Sequence, residues 1–378
     1  MQKMRLVIYP YSAEFDPVLR HVSLLNKEFE ICASVAPAGW GLSGKIITAK
    51  SGEKSWNVES DLEDNIIDGA DTVFIPDVNA TEKAETQIIK EVIKVLPRLR
   101  NVICSASLTE SNLKLLQSSC EQSDCTFDNL SKAKELKGYE PLNKLPLDTP
   151  LKYIDVPIVA IAGLWERSDK FEVSLALREK FIQNNYRITQ VGSRNYCEML
   201  GFHSLPDFLF NSDMDAVSKI INFNRWIKQL EQSEKPDIIL LTIPGAIKNL
   251  NEKFTNGFGV LPHIMLQGVM VDFFVFCTMY DWSSIKLLEE FSIMCRYKYD
   301  CDIDCFHMSN MFFDLGASDE KEKVVLNHIN REAVTAALEK GFKESPIPIY
   351  NIFDDGSCDK IFNLIESKLS GEDFQLVT

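Results

Sequence analysis

The sequence has no long apolar run. No stretch approaches the roughly 18 uncharged apolar residues of a membrane span, and the nearest candidate, Val260 to Tyr280, is broken by Pro262, His263, Gln267 and Asp272. The chain is also short of positive charge. Its 40 Lys plus Arg face 55 Asp plus Glu, a net charge of −15. A surface this acidic repels phosphate backbones and anionic lipid, which argues against nucleic acid or membrane as partners. The first residues lack the apolar core and small-residue cleavage site of a secretory leader and enter a strand-like run directly. Neither G-x-S-x-G nor H-E-x-x-H occurs, no internal repeat is evident, and no carboxylate pair stands out as an acid–base dyad. The ten cysteines are scattered, which suits reduced thiols better than a disulfide framework. These absences predict a soluble cytoplasmic protein.

What is present is enough apolar residue, 45% of 378, to fill two cores of ordinary size. Residues 1–130 alternate β-branched runs (5–9, 29–35, 72–76, 101–105) with helical patterns at 61–68, 82–99 and 109–120. That rhythm implies βαβ crossovers and a mostly parallel sheet. Residues 131–156 break it with Gly138, Pro141, Pro146 and Pro150, and read as a proline-rich linker that drapes over a surface. A second series fills 157–378. Strands are expected at 157–163, 187–191, 237–242, 269–277 and 305–313, and helices at 171–184, 214–233, 283–294 and within 321–340. A strand at 347–352 and a helix at 360–369 close it. The fold class is therefore α/β: two Rossmann-like three-layer domains with mostly parallel sheets, the second a degenerate P-loop-like domain.

The turn after the first strand of the second domain carries the most information. Gly163-Leu-Trp165-Glu-Arg167-Ser-Asp169-Lys170-Phe171 stands where a P-loop sits. In a working P-loop, glycines let backbone N–H groups cradle phosphates, Lys reaches the terminal oxygens and a Ser/Thr hydroxyl binds magnesium. Gly163 and Lys170 are in place, but Asp169 takes the usual glycine position and Phe171 the hydroxyl position. The segment reads either as an ordinary βα turn that has lost its nucleotide or as a site still binding some anion. Thr242-Ile-Pro-Gly245 occupies the Walker B position without the acidic residue that metal-assisted phosphoryl transfer needs. A third junction, Val191-Gly-Ser193-Arg194-Asn-Tyr196-Cys-Glu198, offers a guanidinium fork and orienting polar groups, or simply a helix cap.

Two further patterns are weaker. Gly39-Trp-Gly41-Leu-Ser-Gly44 spells G-x-G-x-x-G but runs into an extended Ile46-Ile-Thr. It reads as a loop packing Trp40 at the domain interface with Lys45 facing the cleft, rather than as an NAD fingerprint. Cys295, Cys301, Cys305 and His307 invite a zinc reading but lack a C-x-x-C knuckle, so buried thiols and no metal are expected.

The segments GWGLSGK, AGLWERSDKFEVSLALREKF, VGSRNYCEMLGFHSLPDFLF and HMSNMFFD together resemble a family of accessory "peptide maturation system" proteins. That family comes from clostridial-type clusters making ribosomal natural-product peptides of the bacteriocin kind, modified by a radical SAM enzyme. The second domain is also distantly similar to dethiobiotin-synthetase-like P-loop proteins, of whose motif only Gly163 and Lys170 carry over. The resemblance implies an accessory role with a precursor peptide or radical SAM maturase as partner. A peptide or small anion would bind in the interdomain cleft, with no cofactor and no ordinary ATP hydrolysis. Lys170, Arg167 and Arg194 are expected to supply charge, Trp165 and Tyr196 flat contact area, and Asp169 an internal partner for Lys170 or an arginine. The alternative is a nucleotide-dependent ligase or transferase that uses ATP and Mg around Lys170. A homodimer is a third expectation.

Overall fold

The structure, a computed structural model, describes residues 3–62, 69–78, 80–131, 139–142, 145–146, 148–280 and 284–370. The chain folds into two compact units, Met1–Glu135 with Arg194–Pro206, and Leu136–Ser193 with Asp207–Thr378. The expected boundaries differ at two places: residues 194–206, assigned to the second domain by sequence, group with the first unit, and the stretch 131–156, assigned to a separate linker, is divided at 135/136 between the two.

The first unit contains β1 (Met4–Ile8), α1 (Asp16–Arg20), β2 (Phe29–Val35), β3 (Ile46–Thr48), β4 (Ser55–Glu59), β5 (Thr72–Ile75), α2 (Glu82–Val95), β6 (Asn101–Cys104), α3 (Glu110–Gln122) and β7 (Thr126–Asn129). Its sheet runs β3-β4-β2-β1-β5-β6-β7, parallel except where β3 pairs antiparallel with β4. The order reverses between β1 and β5, the place in such a sheet where a ligand crevice is expected at the strand carboxyl ends. Of the helix expected at 61–68, residues 63–68 lie outside the described residues.

In the second unit β8 (Ile158–Gly163), α4 (Lys170–Gln183) and β9 (Ile188–Gly192) come first. After the excursion through β10 (His203–Ser204) in the first unit follow α5 (Ala216–Glu234), β11 (Ile238–Thr242), α6 (Val260–Gln267), β12 (Phe273–Thr278), α7 (Ile285–Tyr299) and β13 (Cys305–Met308). The chain ends with β14 (Met311–Phe313), α8 (Leu315–Lys321), β15 (Leu326–His328), α9 (Arg331–Gly341), β16 (Ile349–Tyr350) and α10 (Ser357–Ser370). Six strands run β9-β11-β8-β12-β13-β16, all parallel. Every residue of β8, β11 and β12 is buried. A parallel sheet sealed by helices on both faces needs such unbroken apolar runs, not alternation. The expected strand at 305–313 is two: β13 stays in the sheet, and after Ser309-Asn310 the chain turns into the antiparallel pair β14–β15.

Where described, the proline-rich stretch is bonded to α5 of its own unit. Asn222, Asn224 and Glu231 on α5 accept hydrogen bonds from the backbone N–H groups of Leu142, Lys152 and Val156. α5 thus supplies partners for an extended segment that has no ladder of its own. Asp215, Ser284 and Asn330 cap α5, α7 and α9 with side-chain hydrogen bonds. α4 differs: its N-cap, Asp169, sits in the left-handed region at φ 58°, ψ 17° and makes no such bond.

α4 and α10 are pinned together by Phe181, whose ring meets Tyr186 at 5.5 Å and Phe362 at 5.1 Å, both edge-on. Phe181→Ala is expected to lower unfolding free energy by about 3–5 kcal/mol. Urea denaturation checks this, and a loss under about 1 kcal/mol would contradict the packing described.

Candidate functional site: the loop after β8

β8 ends at Gly163, and no side chain fits there. A Cβ would run into Ser168 Oγ and lie 3.1 Å from both Lys170 Cδ and the Trp165 carbonyl oxygen. The loop is closed by Ser168 Oγ donating to that same carbonyl at 3.0 Å and anchored by Leu164 N–H donating to Cys277 O at 2.9 Å. Lys170, 8% exposed, donates its ammonium to Trp165 O at 3.0 Å and to Gly245 O in the loop after β11. Gly245 has φ 71°. A buried cation held by carbonyl dipoles at a helix N-terminus is an arrangement that favours an anion nearby.

Asp169, expected to pair internally with Lys170 or an arginine, turns to Ser309. Its carboxylate accepts from Ser309 Oγ just beyond β13, and His307 Nε2 lies 3.7 Å from Oδ2. His307 is fully buried, and its Nδ1 accepts from Ile352 N–H at 3.2 Å. Nδ1 is thereby fixed as the bare nitrogen, and Nε2 has no hydrogen-bond partner among the described residues. Sequence reasoning missed Ser309. The polar HMSN run at the end of an apolar strand was the available signal, because α/β sites gather at strand carboxyl ends.

The structure brings Gly163, Trp165, Arg167, Asp169, Lys170 and Gly245 to one end of one sheet. Arg167, like Asp169, is left-handed, at φ 56°. Ser193 follows β9, separated from β8 by β11. Arg194, Tyr196 and Glu198 do not join this group. They belong to the first unit, where Arg194 pairs with Glu14 at 2.9 Å and Tyr196 packs against Phe15 and Phe74, each at 5.7 Å. Asn195 N–H donates to Asp77 Oδ2 at 2.9 Å and Asn195 Nδ2 to Ser105 O at 3.1 Å. Glu198 is consumed locally by the Ser204 backbone N–H and hydroxyl. The ends of β1, β5 and β6 therefore receive the chain's own Arg194-Asn195-Tyr196.

The glycine-rich loop also turns inward. Trp40 packs on the first unit's own core, and Lys45 pairs with Asp16 at 2.6 Å. The segment after it is strand β3, as the extended reading required.

The magnesium nucleotide of the alternative reading does not fit these residues. Phe171 is buried and apolar. The β11 terminus offers only Thr242, fully buried, whose hydroxyl donates to Ser174 at 2.8 Å, and Asp169 places a carboxylate at the cradle. Among the described residues no three His, Cys, Asp or Glu side chains are grouped to hold a metal. All ten cysteines are free, and burial pushes the Cys104 and Cys301 thiols up to about 12, which keeps them protonated and unreactive.

The chain is a two-unit α/β protein whose second sheet carries a strand-to-helix loop closed over Lys170. The chain is similar in fold to the crystal structure of a DUF1611 family protein from Anabaena variabilis ATCC 29413, with a TM-score of 0.59 and 9% identity over 96% of this chain and 100% of that one. No protein-family model and no curated protein matches the sequence. No described helix is long and apolar enough to cross a membrane.

In the first unit, burial raises the Asp77 carboxyl above its usual range, against the lowering by Ser105, Asn195 and Arg194. Its Oδ1 is sealed from solvent with no hydrogen-bond partner among the described residues. A carboxyl raised in the folded state stabilises fully below its unfolded pKa of about 3.9 and loses that contribution as pH rises through the folded value. Asp77→Asn keeps an acceptor for Asn195 and removes the buried charge. It is expected to melt higher than the parent at neutral pH, with the difference vanishing toward about pH 3. A variant melting lower at neutral pH contradicts this.

Proposed function

We propose that this chain is an accessory protein in the maturation of a ribosomally made natural-product peptide. It binds a peptide carboxylate or another small anion at the loop after β8 and does not hydrolyse ATP in the ordinary way. The observation that carries the reading is Lys170, a buried ammonium presented between the Trp165 and Gly245 carbonyls at the first turn of α4. The helix N-terminus adds positive partial charge at the same point. Asp169 is engaged on the β13 side by Ser309, so its charge opposes a polyanion more than a single carboxylate or phosphate. The resemblance of the GWGLSGK and HMSNMFFD segments to peptide maturation proteins supplies the biological setting, with the precursor peptide or the radical SAM maturase as partner.

Isothermal titration with inorganic phosphate, and separately with MgATP, tests the site. Phosphate is expected to bind. Lys170→Ala weakens it by about tenfold or more through loss of a charge-assisted contact, while Asp169→Asn, which retains an acceptor for Ser309, strengthens it several-fold. Parent protein that turns over MgATP, or phosphate binding indifferent to both substitutions, overturns the proposal. Deleting the gene from its cluster tests the setting, the expected outcome being loss of the modified peptide.

A further inference from the structure

One face of α5 carries Arg225, Lys228, Gln229 and Gln232, which spacings of three, four and seven residues line up along the helix. The extended segment 152–156 runs along that face. Asn224 holds it at one end, accepting from the Lys152 N–H at 2.6 Å and donating to the Lys152 carbonyl at 3.0 Å. Glu231 holds it at the other, accepting from the N–H groups of Asp155 and Val156. Tyr139 adds a further side, its hydroxyl donating to the Asn222 carbonyl at 2.7 Å. The result is an open pocket of about 480 Å³ within the second unit, a size common among small-molecule sites.

The three cations of this pocket are unequally engaged. Lys228 is bound to Asp155 at 2.6 Å and to Glu231. The Arg225 guanidinium and the Lys152 ammonium have no hydrogen bond or ion pair among the described residues, and Arg225 Nε is sealed from solvent without a partner. Burial pushes the Tyr139 phenol up, and the nearby Arg225 charge opposes that rise. Tyr153 stands beside Lys152 with 72% of its surface in solvent.

We propose that this pocket binds a small phosphate monoester carrying a flat aromatic ring. Arg225 and Lys152 take the phosphate, and the ring lies on Tyr153. Charge sets the head group: a phosphate monoester carries about −1.5 to −2 at neutral pH, which two unmatched cations neutralise, whereas a carboxylate would leave one of them uncompensated. The planar guanidinium fork also matches phosphate oxygens two at a time. Exposure sets the ring: Tyr153 is an aromatic face held in water on a segment that α5 fixes on both sides of it, ready for stacking. The amides of Gln229 and Gln232 offer donors and acceptors to polar substituents on that ring. The positive charge is local. A long polyanion would meet the repulsion of a chain of net charge −15, whereas a single phosphate fits within a Debye length of its two partners. No residue of the pocket belongs to the loop after β8, so the assignment does not rest on Lys170.

Calorimetric titration of the full chain with phenyl phosphate tests the site. Binding tighter than about 1 mM is expected, weakening as salt is raised because the head-group contacts are charged. Arg225→Ala is expected to weaken it by about tenfold or more. Lys152→Ala, which changes an exposed side chain without a partner, weakens it several-fold and decides the matter if Arg225→Ala lowers the melting temperature. Lys170→Ala leaves phenyl phosphate binding intact, which separates this pocket from the anion loop. In that Lys170→Ala chain, inorganic phosphate and benzoate are each expected to bind about tenfold more weakly than phenyl phosphate, the first for want of stacking and the second for want of charge. Tyr153→Ala then removes the advantage of phenyl phosphate over inorganic phosphate, a change that a merely structural residue would not produce. Failure of the parent protein to bind phenyl phosphate overturns the proposal. So does unchanged binding in folded Arg225→Ala and Lys152→Ala chains, or binding that is lost with Lys170→Ala alone.

Discussion

One buried ammonium organises the carboxyl end of the second sheet. Lys170 bridges the carbonyls of Trp165 and Gly245, and so ties the loop after β8 to the loop after β11. Removing a cation from water is costly unless dipoles replace the lost hydration. Here those dipoles are backbone carbonyls, whose positions fix the path of both loops. Gly163 must lack a side chain because the Lys170 stem and Ser168 pass over it. Arg167 and Asp169 must take left-handed backbone to complete the turn, at a cost of roughly 1–2 kcal/mol each. A local positive pole thereby stands within a chain of net charge −15.

How much of this was legible in the sequence depended on the range of the interactions. The central strands were readable because burial on both faces leaves no polar interruption, as in IVAIAG and FFVFCT. β4 was missed, and β3 was read only as an extended segment, because three and five residues with alternating burial carry little signal beside a glycine-rich loop. Residues 305–313 look like one strand because apolar residues flank Ser309-Asn310 on both sides; only the tertiary bond from Ser309 to Asp169, 140 positions away, explains why the chain breaks there. The position of Gly163 and Lys170 was a local fact and was found. The partner of Asp169 was not local.

The Arg194-Asn195-Tyr196 turn shows a different limit. Its residue types are those of a ligand site: a planar guanidinium, an amide and an amphipathic ring. The same chemistry serves equally well for binding the chain itself. In the first unit the Arg194 and Asn195 side chains bond Glu14 and the Ser105 carbonyl, the Asn195 backbone N–H bonds Asp77, and Tyr196 fills the space beside Phe15 and Phe74. They occupy the place where the reversal of strand order would otherwise open a crevice. Spacing along the chain could not distinguish the two uses; burial does, with Tyr196 only 3% exposed.

Asp169 shows how a carboxylate at the start of α4 is accommodated beside Lys170. The expectation was a carboxylate paired internally with Lys170 or an arginine. Instead the carboxylate reaches sideways to Ser309, near the Nε2 of a buried histidine whose Nδ1 is committed to the backbone of Ile352. That chain of contacts links the loop after β8 to the ends of β13 and β16, so the negative charge contributes to sheet closure. The ammonium remains held by neutral carbonyls at the start of α4. Separating the two charges in this way keeps a positive site at the strand end that an internal ion pair would have extinguished.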